Sequence, residues 1–216
     1  MKTILFDLDG TLADTSADLI AAANHCFITE GFDAPLDPVA DALTGMRGSY
    51  AMLKLGSERV GADLTGKRGL LLEYYDANIA NETRLFDGVE AALSQLGGAG
   101  YKLGVATNKP EGLAEKLIGL LGIDHHFGAL VGADTLPVNK PDPQHLFETV
   151  RRVSGDLSQS MLVGDTDTDV KAARNAAMPV VLVGFGPEGQ GLARLEPDAL
   201  FDHYDALPEL VEKILP

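Results

Sequence analysis

The sequence predicts an α/β protein with a doubly wound parallel sheet, its first strand separated from the others by a small all-helical domain. Three observations support this. Residues 2–7 read as a short buried strand built on the apolar run Ile4-Leu5-Phe6, as a strand covered on both faces requires. After Phe86-Asp87-Gly88 the chain alternates short strand-like runs with helical patterns, which is how a parallel sheet with covering helices is written. Between them lie about seventy residues with helical periodicity and no strand alternation, too many for a connecting loop.

Taken in order, Thr15-Ser16-Ala17-Asp18 resembles a capping box, and Leu19, Ala22, Ala23, Cys26 and Phe27 make one face of a helix ending near Gly31. Pro35 and Pro38 mark a loop. Residues 39–82 read as further helices interrupted at Gly45, Gly48, Gly56, Gly61 and Gly66. Then follow a helix over 88–97, a strand over 101–107, a helix over 111–121 and a strand over 128–132. A helix over 143–153, a strand over 160–164, a helix over 168–177 and a strand over 179–184 complete the alternation. The expected division is 1–13 with 84–216 as an α/β core, and 14–83 as the helical domain. No internal repeat or low-complexity tract interrupts it.

The chain has 216 residues, enough for a substantial core, with 45% hydrophobic residues and no tryptophan. No run approaches the roughly 20 apolar residues that span a bilayer, and Met1-Lys2 leads directly into a strand, so a cytoplasmic location is expected. The single cysteine, Cys26, lies on the apolar helical stripe and reads as a packing residue. Seventeen basic against 32 acidic residues give a net charge of −15, which disfavours nucleic acid and anionic membranes as partners.

The most informative stretch is Ile4-Leu5-Phe6-Asp7-Leu8-Asp9-Gly10-Thr11-Leu12-Ala13-Asp14. Two carboxylates at a strand's end repel one another, and a divalent cation in the crevice beyond the sheet would relieve them. The same letters also suit an Asp-Gly hairpin turn, and this stretch alone leaves both readings open. Three later segments follow apolar runs: Val105-Ala106-Thr107-Asn108, Asn139-Lys140-Pro141-Asp142-Pro143, and Leu162-Val163-Gly164-Asp165-Thr166-Asp167-Thr168-Asp169. They add a hydroxyl, an amide, an ammonium and further carboxylates, although Thr107-Asn108 and Asp142-Pro143 would also serve simply as helix starts.

Asp165 to Asp169 imitates the opening of a calcium loop. It fails that pattern, because Val170 stands where glycine is needed and Ala176 where the closing glutamate is needed. Asp167 more simply opens the next helix. Gly184-Phe185-Gly186-Pro187-Glu188-Gly189 fits a dinucleotide-binding pattern, but too little chain follows it for a nucleotide-binding half. No phosphate-cradling Gly-x4-Gly-Lys pattern is present. The five histidines have no metal-ligand spacing, and His125-His126 reads as a loop pair. Asn81-Glu82-Thr83 matches a glycosylation acceptor, which a cytoplasmic chain would not use.

In order and residue type the four segments resemble the motifs of the haloacid dehalogenase superfamily, nearly end to end. Asp7-Leu8-Asp9-Gly10-Thr11-Leu12, Asp14-Thr15-Ser16-Ala17-Asp18-Leu19 and Thr107-Asn108-Lys109-Pro110 look most like its phosphoglycolate phosphatases. The resemblance implies that 14–83 is a cap and that the activity is magnesium-dependent hydrolysis of a phosphate monoester through an aspartyl-phosphate. Asp7 would be the nucleophile, and Asp9, starting protonated, the general acid and then base. The ion would be held by Asp7, the Asp9 backbone carbonyl and Asp165, with Asp169 behind them.

Thr107 and Asn108 would donate to the phosphoryl oxygens, and Lys140 would neutralise both Asp7 and the developing charge. The cap segment Thr44-Gly45-Met46-Arg47-Gly48 resembles a glycine-bearing substrate loop, which would bring Gly45 toward the substrate and Arg47 to its carboxylate. A small phosphorylated metabolite is the implied partner of a monomer or homodimer, with 2-phosphoglycolate the leading substrate. Phosphatase, pyrophosphatase or phosphomutase activity on another small phosphate and non-catalytic phosphate binding are the alternatives.

Overall fold

The computed structural model describes residues 1–215. In chain order the elements are β1 (Thr3–Phe6), β2 (Ala13–Asp14), α1 (Ser16–Thr29), α2 (Ala42–Met46), α3 (Ser49–Val60), α4 (Arg68–Ala77) and β3 (Arg84–Leu85). There follow α5 (Val89–Gly98), β4 (Lys102–Ala106), α6 (Glu111–Leu120), β5 (Ala129–Val131), α7 (Gln144–Arg152), β6 (Ser160–Gly164), α8 (Asp167–Asn175), β7 (Val180–Val183), β8 (Ala199–Phe201) and α9 (Leu207–Ile214). Residue contacts divide the chain into two compact units: Met1–Ala13 with Leu85 onward, and Asp14–Arg84. The short strands β2 and β3, where the chain passes between units, form a separate two-stranded ribbon.

The first unit is built on six strands in the order β5-β4-β1-β6-β7-β8, every pair parallel. This is the predicted α/β class, and it removes the hairpin reading of Asp9-Gly10, because both neighbours of β1 run parallel to it. In register, Phe6 lies opposite Val105 on one side and Val163 on the other. The residues after β1, β4 and β6 therefore emerge side by side, in the crevice that open parallel sheets use for ligands. Beneath it, Leu5, Ala106, Leu162, Val180 and Leu182 pack with Leu146 and Val150 of α7 and Ala172 and Ala173 of α8 in one buried cluster. Burial on this scale contributes roughly 1.5–3 kcal/mol per large aliphatic side chain, which makes the sheet a firm base for the loops above it.

The second unit is helical, with α1 packed against α2, α3 and α4. Cys26 is buried on α1 beside Phe27, as its stripe predicts. The capping box expected at Thr15 does not form. The Thr15 hydroxyl is buried without a hydrogen bond, and the Asp18 carboxylate instead accepts from the Glu82 and Thr83 amides and the Thr83 hydroxyl. A buried carboxylate gains more from these donors than from capping its own helix. The capping box appears at α8, between Thr166 and Asp169.

Other differences are at the edges. Helix and strand ends fall within two residues of expectation, but β8 and α9 were not expected. After β7 the glycine-rich segment leads into a 3-10 turn, Gly189–Leu195, rather than the helix a dinucleotide site needs.

Gly164 ends β6 so close to α8 that a Cβ there would overlap the Asp169 carboxyl. Gly164→Ala is expected to cost about 1–3 kcal/mol in urea unfolding. Gly112 lies in α6 with open space around it. Gly112→Ala is expected to add about 0.5–1 kcal/mol, because it removes only glycine's excess unfolded-state freedom. Equal effects of the two changes would contradict this packing.

Candidate active site

β1 ends at Phe6, and the chain turns at once: the Leu8 carbonyl accepts from the amides of Thr11, Leu12 and Ala13. Gly10 takes the left-handed φ of 79° that this tight turn requires. The turn leaves Asp7 at the strand tip, its amide on the Val163 carbonyl and one carboxylate oxygen accepting from the Leu8 amide at 2.7 Å. The other oxygen lies 2.9 Å from the Lys140 ammonium. Lys140 also donates to Asp169 at 2.7 Å, and its side chain is 1% exposed. A buried lysine needs such partners, and the two carboxylates raise its proton affinity beyond what burial removes, so it stays charged.

The loop carrying Lys140 is fixed from β4. The Asn108 amide donates to the Lys140 carbonyl at 2.9 Å and accepts from the Lys140 amide at 3.0 Å. Asn108 was expected to donate to a phosphoryl group. One amide hydrogen and the carbonyl oxygen brace that loop, whose two backbone groups need satisfying, and the second amide hydrogen can still serve the expected phosphoryl contact. Thr107 is buried beside it and accepts the Lys109 amide at 3.2 Å through its hydroxyl oxygen, which leaves the hydroxyl hydrogen to be donated elsewhere.

Asp165 follows β6 and accepts the Thr11 hydroxyl at 3.1 Å. Among the described residues no basic side chain pairs with it. Asp7, Asp165 and Asp169 each offer an oxygen within 4.8 Å of the others. Burial first, then Asp169 and Asp7, push the Asp165 carboxyl well above the usual range. Burial raises Asp7 to about 6, with Lys140 opposing the shift and Asp169 adding to it. Asp169 is fully buried, one oxygen on Lys140 and the other on the Thr166 hydroxyl, the Thr166 amide and the Asp165 amide. Two carboxylates thus share one ammonium, and a third lies beside them without a basic partner among the described residues. The all-oxygen donor set and the uncompensated charge fit a small hard cation, with Asp7 and Asp165 the oxygens still available to it.

The haloacid dehalogenase-like hydrolase family profile matches residues 4–183. The chain belongs to the haloacid dehalogenase-like hydrolases. It is 37% identical to the phosphoglycolate phosphatase of Mesorhizobium japonicum, over 98% of its own length and 96% of that protein's. It is 38% identical to the phosphoglycolate phosphatase of Agrobacterium fabrum, over 98% and 93%. A crystal structure described as a predicted phosphoglycolate phosphatase, from Haemophilus somnus 129PT, superposes with a TM-score of 0.83 at 27% identity, covering 97% of each chain.

In this hydrolase the sheet brings together Asp7, Asp9, Thr107, Asn108, Lys140, Asp165 and Asp169, from four separated segments. Gly45 and Arg47 belong to the helical unit: Gly45 is buried in α2 against Ile20 and Ser16 of α1, and Arg47 is exposed at that helix's end. Lys109, given no role from sequence, is buried and pairs with Asp9. Its presence in the Thr107-Asn108-Lys109 run was the only signal for it. No helix among the described residues is long and apolar enough to cross a membrane.

His145 of α7 is buried, its Nε2 3.1 Å from the Gly132 carbonyl oxygen. That oxygen only accepts, so Nε2 carries the hydrogen and Nδ1 is bare. Burial, then the Lys140 charge, lower its pKa from 6.5 to about 4. The unfolded imidazole therefore takes up a proton at a higher pH than the folded one, and stability falls as pH drops from about 6.5 to about 4. His145→Gln should flatten the slope of urea-unfolding free energy against pH in that window; an unchanged slope would contradict the assignment.

Proposed function

We propose that this hydrolase is a magnesium-dependent phosphomonoesterase that passes the phosphoryl group through Asp7, with 2-phosphoglycolate as its substrate. The observation that carries the reading is the Lys140 ammonium on Asp7, in a cluster whose negative charge exceeds its cationic charge. A phosphate monoester resists attack because nucleophile and target are both anionic. Catalysis must neutralise the phosphoryl oxygens and hold the nucleophile in line. Magnesium, held by Asp7, the Asp9 backbone carbonyl and Asp165, would neutralise and orient the phosphoryl group.

In the first half-reaction an Asp7 oxygen forms a bond to phosphorus as the ester P–O bond breaks. Asp9 gives its proton to the departing oxygen. In the second, Asp9 takes a proton from water as the water oxygen bonds phosphorus and the Asp7 carboxylate is released. Lys140 keeps Asp7 ionised and shares the added charge, while the Thr107 hydroxyl donates to a phosphoryl oxygen. Asn108 braces Lys140 and can donate its second amide hydrogen to a phosphoryl oxygen. Asp169 acts through Lys140, both its oxygens being committed.

The substrate is supported by the two relatives, whose similarity spans both units of this chain. Residues 14–83 are read as a cap. Its Arg47 offers the planar fork that suits the carboxylate of phosphoglycolate, and Gly45 belongs to the same segment. A cytoplasmic enzyme acting on a small metabolite fits the composition.

Asp7→Asn should leave the fold intact by circular dichroism and lower turnover by at least about a thousandfold, as loss of a covalent nucleophile requires. Substantial residual turnover would mean that the nucleophile is another group. Magnesium should raise the thermal midpoint of the wild-type protein, and Asp165→Asn should remove most of that shift. Arg47→Ala should lose more activity on 2-phosphoglycolate than on p-nitrophenyl phosphate, which has no carboxylate. Parallel loss on both would remove Arg47 from substrate selection.

A further inference from the structure

We propose that Lys109 is a positioning residue that holds the Asp9 carboxyl in place for proton transfer to the leaving oxygen. The inference rests on the acid–base role given to Asp9 above. The Lys109 ammonium donates to both Asp9 oxygens, at 2.8 and 3.2 Å, and its side chain is 3% exposed. Among the described residues no other side chain bonds that carboxyl. Asp7 and Asp9 therefore differ in how they are held. Asp7 is fastened by its neighbour's amide as well as by Lys140, whereas Asp9 projects from the turn beyond β1 and depends on one side chain from the end of β4.

Lys109 is well anchored for this task. Its amide donates to the Thr107 hydroxyl oxygen, its carbonyl accepts the Ala133 amide at 2.9 Å, and Pro110 and α6 follow immediately. Ordering a long side chain gives up rotamer freedom, and burying its charge needs a partner; Asp9 supplies one. An ammonium can donate to the carbonyl oxygen of a protonated carboxyl, and it donates more strongly to a carboxylate. The contact therefore serves Asp9 both when it gives a proton and when it takes one.

An acid that protonates the leaving group matters for an alkoxide and little for p-nitrophenolate, which departs as a stable anion. The comparison of kcat/KM for 2-phosphoglycolate and p-nitrophenyl phosphate isolates this step, because kcat/KM stops at the first irreversible event. For Lys109→Met, the alkyl ester should lose on the order of 10- to 100-fold more than the aryl ester, the scale of a misplaced general acid. Lys109→Arg should recover most of the difference, since a guanidinium can also reach both oxygens.

If Lys109→Met does not fold, Lys109→Gln reads the same ratio. Equal losses on both esters, or no loss, would overturn the inference and make Lys109 a phosphate-binding or purely structural charge. Asp9→Asn, measured alongside, separates the two claims. If it too shows no leaving-group selectivity, the acid role of Asp9 falls and the inference with it. If it is selective and Lys109→Met is not, only the role of Lys109 falls.

Discussion

A buried ammonium between two carboxylates fixes the chemistry of this protein. Lys140 has almost no contact with water, and the Asp169 it bonds has none. Such a pair is tolerated only where geometry is good and remaining hydrogen-bond capacity is used, because desolvating both charges costs several kcal/mol per ion. Every neighbouring element contributes to that geometry. Asn108 braces the Lys140 backbone, Thr166 and the Asp165 amide fill the second oxygen of Asp169, and Gly164 leaves room for the Asp169 side chain.

The sheet explains why these groups meet. With β1 between β4 and β6, three strand ends deliver Asp7, Thr107 and Asp165 to one line, and the loop before α7 adds Lys140. Charge is distributed unevenly along that line. Asp7 and Asp9 each have a lysine, whereas Asp165 has only a hydroxyl. This asymmetry distinguishes the two paired carboxylates from Asp165, within an acidic chain of net charge −15. A net negative chain is compatible with the proposed anionic ester because Lys109 and Lys140 are buried beside Asp9 and Asp7 rather than spread over the surface.

Much of this was legible in the sequence because its signals are local. Apolar strands, short connections and turn residues between them carry the fold class. The less legible parts depend on competition between partners. Thr15 to Asp18 is a capping box by its letters, yet Asp18 finds stronger donors at Glu82 and Thr83, far along the chain. Asn108 also braces the Lys140 backbone, a pairing between segments far apart in the chain that its letters do not announce. Lys109 carries no sequence signal of its role, because its partner lies a hundred residues away. The strand β8 and helix α9 follow a glycine- and proline-rich segment whose letters signal a loop.

The central claim, that Asp7 receives the phosphoryl group, is tested most directly by acid-quenching the enzyme during turnover and measuring the mass of the peptide that contains Asp7. The account predicts the added mass of one phosphoryl group on that peptide, lost when the acyl phosphate is treated with hydroxylamine and absent from Asp7→Asn. Turnover with no such adduct at any quench time, or an adduct on a different residue, would contradict it.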